Sequence, residues 1–412
     1  MKLFEYTCEF HRLPNDIPLA LYVPKEKTPR SQIAVLLMHR SRSDYMSHPA
    51  AAEFAKHGII AAGANPKHAD VRGWIEDYQI AVDFLKSYPG VKKLVLLGHS
   101  QAGNYMSCYQ YLAENGTSRF DKTTRIIPFP DVGNLTPADG LILLDANWGI
   151  MEVLCLDPAV QTLDNGYARI PELDLYNPEN GYDPKGSCYT NEFIIRFQKA
   201  QIDFYRYVLD YAKGRMELIK KGRGRFLDDE PIIIPGGGMG SDNNKLFIQD
   251  VRLLGRNEKP CPTLLKDGSV VSKLNYTLRK PQDSVGSSYY GRGAFKTTVC
   301  EVLWEERRFD DNFGYNEYSM WGDMGDFNFL RTTANVEGIT VPTLCIGCTA
   351  SHEFVNAEMN YYHSVSTDKA MIMVEGARHE LLTSDMEKYG DTLFNAGVYM
   401  SDWLSKPGRF ID

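Results

Sequence analysis

Two stretches in the first hundred residues, IAVLLMH at 33–39 and KLVLLGH at 93–99, are apolar at almost every position. That pattern predicts central strands buried on both faces of a parallel sheet. Shorter apolar runs predict further strands at Leu3–Phe10, Ile17–Val23, Gly58–Ala64 and Gly140–Asp145. Amphipathic stretches lie between them, at His48–Lys56 and Val71–Ser87. In the second, Trp74, Tyr78, Val82 and Phe84–Leu85 recur at helical spacing, and Pro89-Gly90 stops the helix before the next strand. Strand and helix thus alternate through residue 149, which predicts an α/β fold with a mostly parallel sheet flanked by helices.

The alternation stops after Asp145. Residues 147–336 are rich in Tyr, Phe, Gly, Pro and Asn, with one long helical candidate at Glu192–Ile219. It then resumes with VPTLCIGCT as a strand, an amphipathic stretch through Tyr362, AMIMVEG as a strand and a closing helix over Thr383–Leu404. The expected organisation is a core in two parts, 1–149 and 337–412. A large cap, 150–336, is inserted between strands 6 and 7. No internal repeat is present.

Composition narrows the function classes. The chain has 412 residues, 43% hydrophobic and 24% charged, enough to bury a core without metal or disulfide staples. Its net charge of −8, with both signs mixed along the chain, offers no footprint for nucleic acid or an anionic membrane. No apolar window reaches 18 residues, and the N-terminus lacks the apolar run of a signal peptide. The 8 cysteines are scattered, unlike a disulfide scaffold, so a reduced cytoplasmic setting is expected. Cys345 and Cys348 form a C-x-x-C without a second pair and read as strand residues. The glycine-rich PGGGMG at 235–240 lacks the G-K-[ST] of a phosphate loop, and the basic KKGRGR at 220–225 reads as a solvated helix end. No metal and no cofactor are expected.

The strongest chemical signal is LVLLGHSQAGN at 94–104, where an apolar strand runs into a small-residue turn and then an amphipathic helix. This is a nucleophile elbow, G-x-S-x-G, with Ala102 in the last motif position. Ser100 is the candidate nucleophile, and its hydroxyl needs an adjacent base. In the order Ser, acid, His, the base belongs after the last strand, where His379 follows Gly376 in AMIMVEGARHELL. The acid that orients it is placed at Glu353, in the loop after the seventh strand, where Ser351 occupies the commonest aspartate position. Asp145, ending LILLD, is the alternative. The oxyanion donors are expected from the backbone N–H of Gln101 and of Ser41, with Arg40 as the alternative to Ser41. Arg40 and Arg42 also bring cations to this loop.

Taken together, the elbow at Ser100, the acid near Glu353, His379 and the strand–helix order resemble the α/β-hydrolase superfamily. The resemblance covers residues 1–149 and 337–412. The segments LDPAV, KGRGRFLDDEP and NNKLFIQDVRLL resemble those of long-capped bacterial and fungal members. It implies an α/β-hydrolase sheet and a serine mechanism acting on a small-molecule substrate. The cap is rich in aromatics, among them Tyr289, Tyr290, Trp304, Phe309, Phe313, Tyr315, Tyr318, Trp321, Phe327 and Phe329. Most are expected to build its core and one or two to line a pocket for an apolar or aromatic group. The expected reaction is hydrolysis of a carboxylic ester, lactone or thioester through an acyl-enzyme. C–C bond hydrolysis and acyl transfer use the same apparatus, and a non-catalytic small-molecule receptor on the same fold is the alternative of a different class.

Overall fold

The computed structural model describes residues 2–40, 44–120, 124–164, 168–236, 245–279 and 294–411. In chain order its strands are β1 (Tyr6–Leu13), β2 (Ile17–Pro24), β3 (Ile33–Met38), β4 (Ile60–Ala64), β5 (Lys93–His99), β6 (Gly140–Leu144) and β7 (Pro231–Pro235). They continue with β8 (Cys261–Leu264), β9 (Val270–Lys273), β10 (Ala294–Thr298), β11 (Phe309–Tyr315), β12 (Met320–Asp323), β13 (Thr343–Cys348) and β14 (Lys369–Val374). Ten of these form one sheet in the order β1-β2-β4-β3-β5-β6-β13-β14-β8-β9. From β4 across to β8 every neighbouring pair is parallel, while β1, β2 and β9 join antiparallel at the two margins. With helices on both faces, this is the α/β-hydrolase fold.

Strand alternation divides the core into two layers. Ala34, Leu36 and Met38 of β3 face one way and pack with Trp74, Tyr78, Tyr105 and Tyr109 from the helices Val71–Ser87 and Ala102–Asn115. Ile33, Val35 and Leu37 face the other, against Ala50, Phe54, Met400 and Leu404 from the helices Pro49–Lys56 and Thr392–Leu404. All six residues of β3 are buried, as two-sided coverage requires. Cys345 and Cys348 lie within β13 with no exposed surface, as strand residues.

The segment 150–336 is not wholly separate from the sheet. Its residues 261–273 form the hairpin β8–β9, which extends the sheet beyond β14. The pattern reading missed this pair because each strand has only four residues. The signal was there: Asp267-Gly268, a strong hairpin dipeptide, stands between TLL and VV, and Gly268 has the positive φ of 81° that such turns need. The rest of the segment builds two small sheets, β7–β10 and β11–β12, around the helix Asn191–Lys220. That helix starts one residue before the predicted span and buries Phe193, Phe197, Ile202, Tyr205 and Val208 on one side. Phe309, Phe313, Tyr315 and Phe329 are buried in the core, whereas Trp321 is exposed. Tyr289 and Tyr290 lie outside the described residues.

The closing helix differs from its prediction. A short turn of helix, Met386–Tyr389, precedes the helix proper at Thr392–Leu404. Between them Gly390 has φ 68°, and a side chain there would crowd the Lys266 carbonyl oxygen at 2.8 Å. Asp391 then caps the new helix by accepting from the Phe394 N–H.

Candidate active site

The parallel strands deliver four loops to the same edge of the sheet: those after β5, β6, β13 and β14. Ligand sites of open α/β sheets lie at this carboxyl edge. Ser100 directly follows β5 and lies two residues before the helix Ala102–Asn115. Its φ of 58° is unusual for a residue with a side chain, and the turn is held at both ends. The Ser100 N–H donates to the Leu144 carbonyl at 3.1 Å, and the Ser100 carbonyl accepts from the N–H groups of Gly103 at 3.0 Å and Asn147 at 2.9 Å.

The crowding explains why small residues surround the serine. A Cβ on Gly98 would sit 2.5 Å from Gly103 Cα, and one on Gly103 would sit 2.4 Å from Ala146 Cβ. The tight position after the nucleophile is therefore Gly103, one residue beyond the Ala102 of the motif. The Gln101 N–H has no acceptor among the described residues, so this amide is available beside Ser100. Ser41, the expected second donor, lies outside the described residues, as does Arg42.

Of the two candidate carboxylates, the one bonded to His379 is the alternative. Asp145, not Glu353, meets His379: the Nδ1–H donates to Asp145 Oδ2 at 2.6 Å. Asp145 is fully buried, has φ 45°, and its Oδ1 accepts from the Cys348 N–H at 3.0 Å. Glu353 is also fully buried, but its Oε1 accepts from Asn147 Nδ2 at 3.0 Å and lies 3.2 Å from His352 Nε2. None of the hydrogen bonds of His379 goes to it. Asn147, on the loop after β6, holds that carboxylate instead. Ser351, standing where an aspartate is commonest, places its Oγ 3.3 Å from His379 Nδ1.

Among His39, His48, His99, His352 and His379, His379 alone is driven toward the charged form. Burial lowers its pKa, but the hydrogen bond and charge of Asp145, with the charges of Glu353 and Glu380, overcome this and push it up to about 9. Around it His39 is pushed down to about 3 and His48 to about 4, each mainly by burial, and His99 and His352 are driven well down for the same reason. His379 Nε2 is buried and makes no hydrogen bond among the described residues. Ser100 follows His99, whose ring centroid lies 4.5 Å from that of His379. Among the described residues no group of three or more His, Cys, Asp or Glu is placed to hold a metal ion. Nor is any helix among them long and apolar enough to cross a membrane.

Arg40 is not a free cation at the mouth. Its side chain is paired with Glu305, bonded to Glu301 at 3.1 Å, and donates to Tyr105 Oη at 3.1 Å. Glu305 also meets Arg307, whose Nε donates to the Gly149 carbonyl at 3.0 Å. The short run 305–307 therefore bridges the loops after β3 and β6. Sequence reasoning could not find these partners, since they sit more than 260 positions from Arg40.

No family model matches the chain, and no curated protein matches it. Solved structures are similar to it at low identity. A hypothetical protein from Pseudomonas aeruginosa is 14% identical, covering 98% of this chain and 94% of its own, with TM-score 0.43. A soluble variant of monoglyceride lipase from Saccharomyces cerevisiae, in complex with a substrate analog, is 11% identical, covering 100% and 97%, with TM-score 0.42. Est1E from Butyrivibrio proteoclasticus is 11% identical, covering 97% and 99%, with TM-score 0.38.

Proposed function

We propose that this chain is a serine hydrolase that cleaves a carboxylic ester, lactone or thioester through an acyl-enzyme. The observation that carries the reading is the 2.6 Å bond from His379 to Asp145, which leaves a buried Nε2 with no hydrogen bond among the described residues, on a ring that packs against His99, the residue before Ser100 and its turn at φ 58°. In this reading Ser100 Oγ attacks the carbonyl carbon while His379 Nε2 takes its proton. Asp145 fixes the tautomer and stabilises the imidazolium without taking up the proton. The Gln101 N–H supplies one oxyanion donor, and the Ser41 N–H is proposed as the second. His379 then protonates the leaving group, and water repeats the sequence to release the acid.

An uncharged substrate suits the site, because Arg40 is already paired with Glu301 and Glu305. The part of the segment 150–336 that lies outside the main sheet is proposed as the cap, enclosing an apolar or aromatic group. The intact serine, histidine and aspartate set weighs against a purely binding role. The test is labelling by a fluorophosphonate probe together with hydrolysis of p-nitrophenyl butyrate. Wild type should label and turn over, and Ser100→Ala should do neither. A Ser100→Ala protein that labels as well as wild type would sink the proposal.

A further inference from the structure

His48, His99 and the main chain of His379 are joined by hydrogen bonds whose directions can be worked out. The Ala50 N–H donates to His48 Nδ1 at 3.3 Å, so that nitrogen carries no proton. The proton of neutral His48 is then on Nε2, which lies 3.2 Å from His99 Nδ1. His99 Nε2 in turn lies 2.8 Å from the main-chain carbonyl oxygen of His379, which can only accept. His99 must therefore donate from Nε2 and accept at Nδ1. Tyr45 Oη, 3.0 Å from the same Nδ1 and 3.1 Å from the His99 carbonyl oxygen, donates to that carbonyl and leaves Nδ1 to His48. A single proton order satisfies the set, running from Ala50 through His48 and His99 to His379.

We infer that His99, held in its Nε2–H tautomer by His48, is a positioning residue for His379. It pins the main chain of the base and packs against its ring at 4.5 Å between centroids. The inference rests on the Ser100–His379–Asp145 reading. Its chemistry is specific to a base that becomes charged during the reaction. A neighbour with one nitrogen donating and the other accepting holds no positive charge against the imidazolium. Both His48 and His99 are buried, at 7% and 4% exposure, so neither side of the chain is open to water. Burial first, and then the charge of His379, keeps both neutral through the physiological range.

The test compares His99→Gln, whose amide nitrogen can replace Nε2 as donor, with His99→Leu, which keeps bulk without a donor. With p-nitrophenyl butyrate, His99→Leu should lose about 10- to 100-fold in kcat at unchanged KM, the signature of a lost transition-state interaction. His99→Gln should recover most of that loss, and fluorophosphonate labelling rates should follow the same order. A role in packing alone would lower thermal stability in both variants without separating their kcat values. Nitrogen-15 NMR of the wild-type protein decides the point independently of folding in the variants: His99 should carry its proton on Nε2 with Nδ1 bare. A proton on Nδ1, or a His99→Leu enzyme with wild-type kcat, overturns the inference. Failure of the underlying reading appears separately, as Ser100→Ala retaining activity.

Discussion

Asp145 Oδ2 and His379 Nδ1 lie 2.6 Å apart although 234 positions separate them in the chain. The pairing of β6 with β13 and of β13 with β14 brings the two loops together at one edge of the sheet. It also places Asp145, rather than Glu353, against the His379 ring.

Removing the two carboxylates separately should therefore give unequal losses. Asp145→Asn should lower kcat by about 10³- to 10⁴-fold, the scale on which a wrongly held histidine tautomer acts. Glu353→Gln keeps its bond to Asn147 and should cost less than about tenfold, near 1.4 kcal/mol. Steady-state kinetics on one model ester decide it, and the reverse ranking would return the acid to Glu353.

Ser351 offers a second route to the same nitrogen. Its Oγ is 3.3 Å from His379 Nδ1, so a carboxylate at this position can reach the base. In an Asp145→Asn background, Ser351→Asp should recover at least about tenfold of the lost kcat, or about 1.4 kcal/mol. No recovery in a folded double variant would mean that the loop after β13 cannot carry the acid.

The raised pKa of His379 sets the pH dependence. The base works only when neutral, so kcat/KM should rise with pH toward a midpoint near 9, alkaline of the ordinary imidazole range. The effect on stability has the opposite direction. With a folded pKa above the unfolded one, the His379 contribution is fully present below about 6.5 and lost as pH rises through about 9. Asp145→Asn should move the kinetic midpoint toward acid, which a pH series on the variant would record.

Gly103 should tolerate no side chain. A Cβ there meets Ala146 Cβ at 2.4 Å, and relief would shift either the helix after Ser100 or the loop carrying Asp145. Gly103→Val should lose about 1–3 kcal/mol of stability from overpacking. It should also label more slowly with fluorophosphonate at temperatures where it remains folded. Unchanged melting and labelling would contradict the packing described.

Glu305 is buried between Arg40 and Arg307, at 7% exposure, so its removal takes the carboxylate shared by two largely buried cations and leaves Arg40 only its pair with Glu301. Glu305→Leu should cost about 3–5 kcal/mol, and Arg40→Met in the same chain should restore part of it. Urea melts of the single and double variants measure the coupling. Additive losses would show that the bridge between core and insert contributes nothing of its own.

Much of this was open to the sequence because it is written locally. The run KLVLLGHSQAGN carries both the buried strand and the small residues that a tight turn demands, so the strand–turn–helix around Ser100 followed from neighbours within a few positions. The loop position of His379 followed from a glycine and a strand just ahead of it. The helix Asn191–Lys220 followed from apolar spacing along its own length. The carboxylate beside His379 did not, because Asp145 and Glu353 each lie on a loop at the same edge and only side-chain direction separates them. That direction depends on Asn147, which holds Glu353, and on the β6–β13 pairing, which aims Asp145 at the base. The hairpin β8–β9 was hidden for a related reason: four-residue strands are too short for a period to declare itself, and β14 supplies the partner that fixes them. Apolar period and turn chemistry act over a few residues and survive in the linear chain. Hydrogen bonds and ion pairs act over about 3 Å in space, and only the folded chain decides which distant residues come that close.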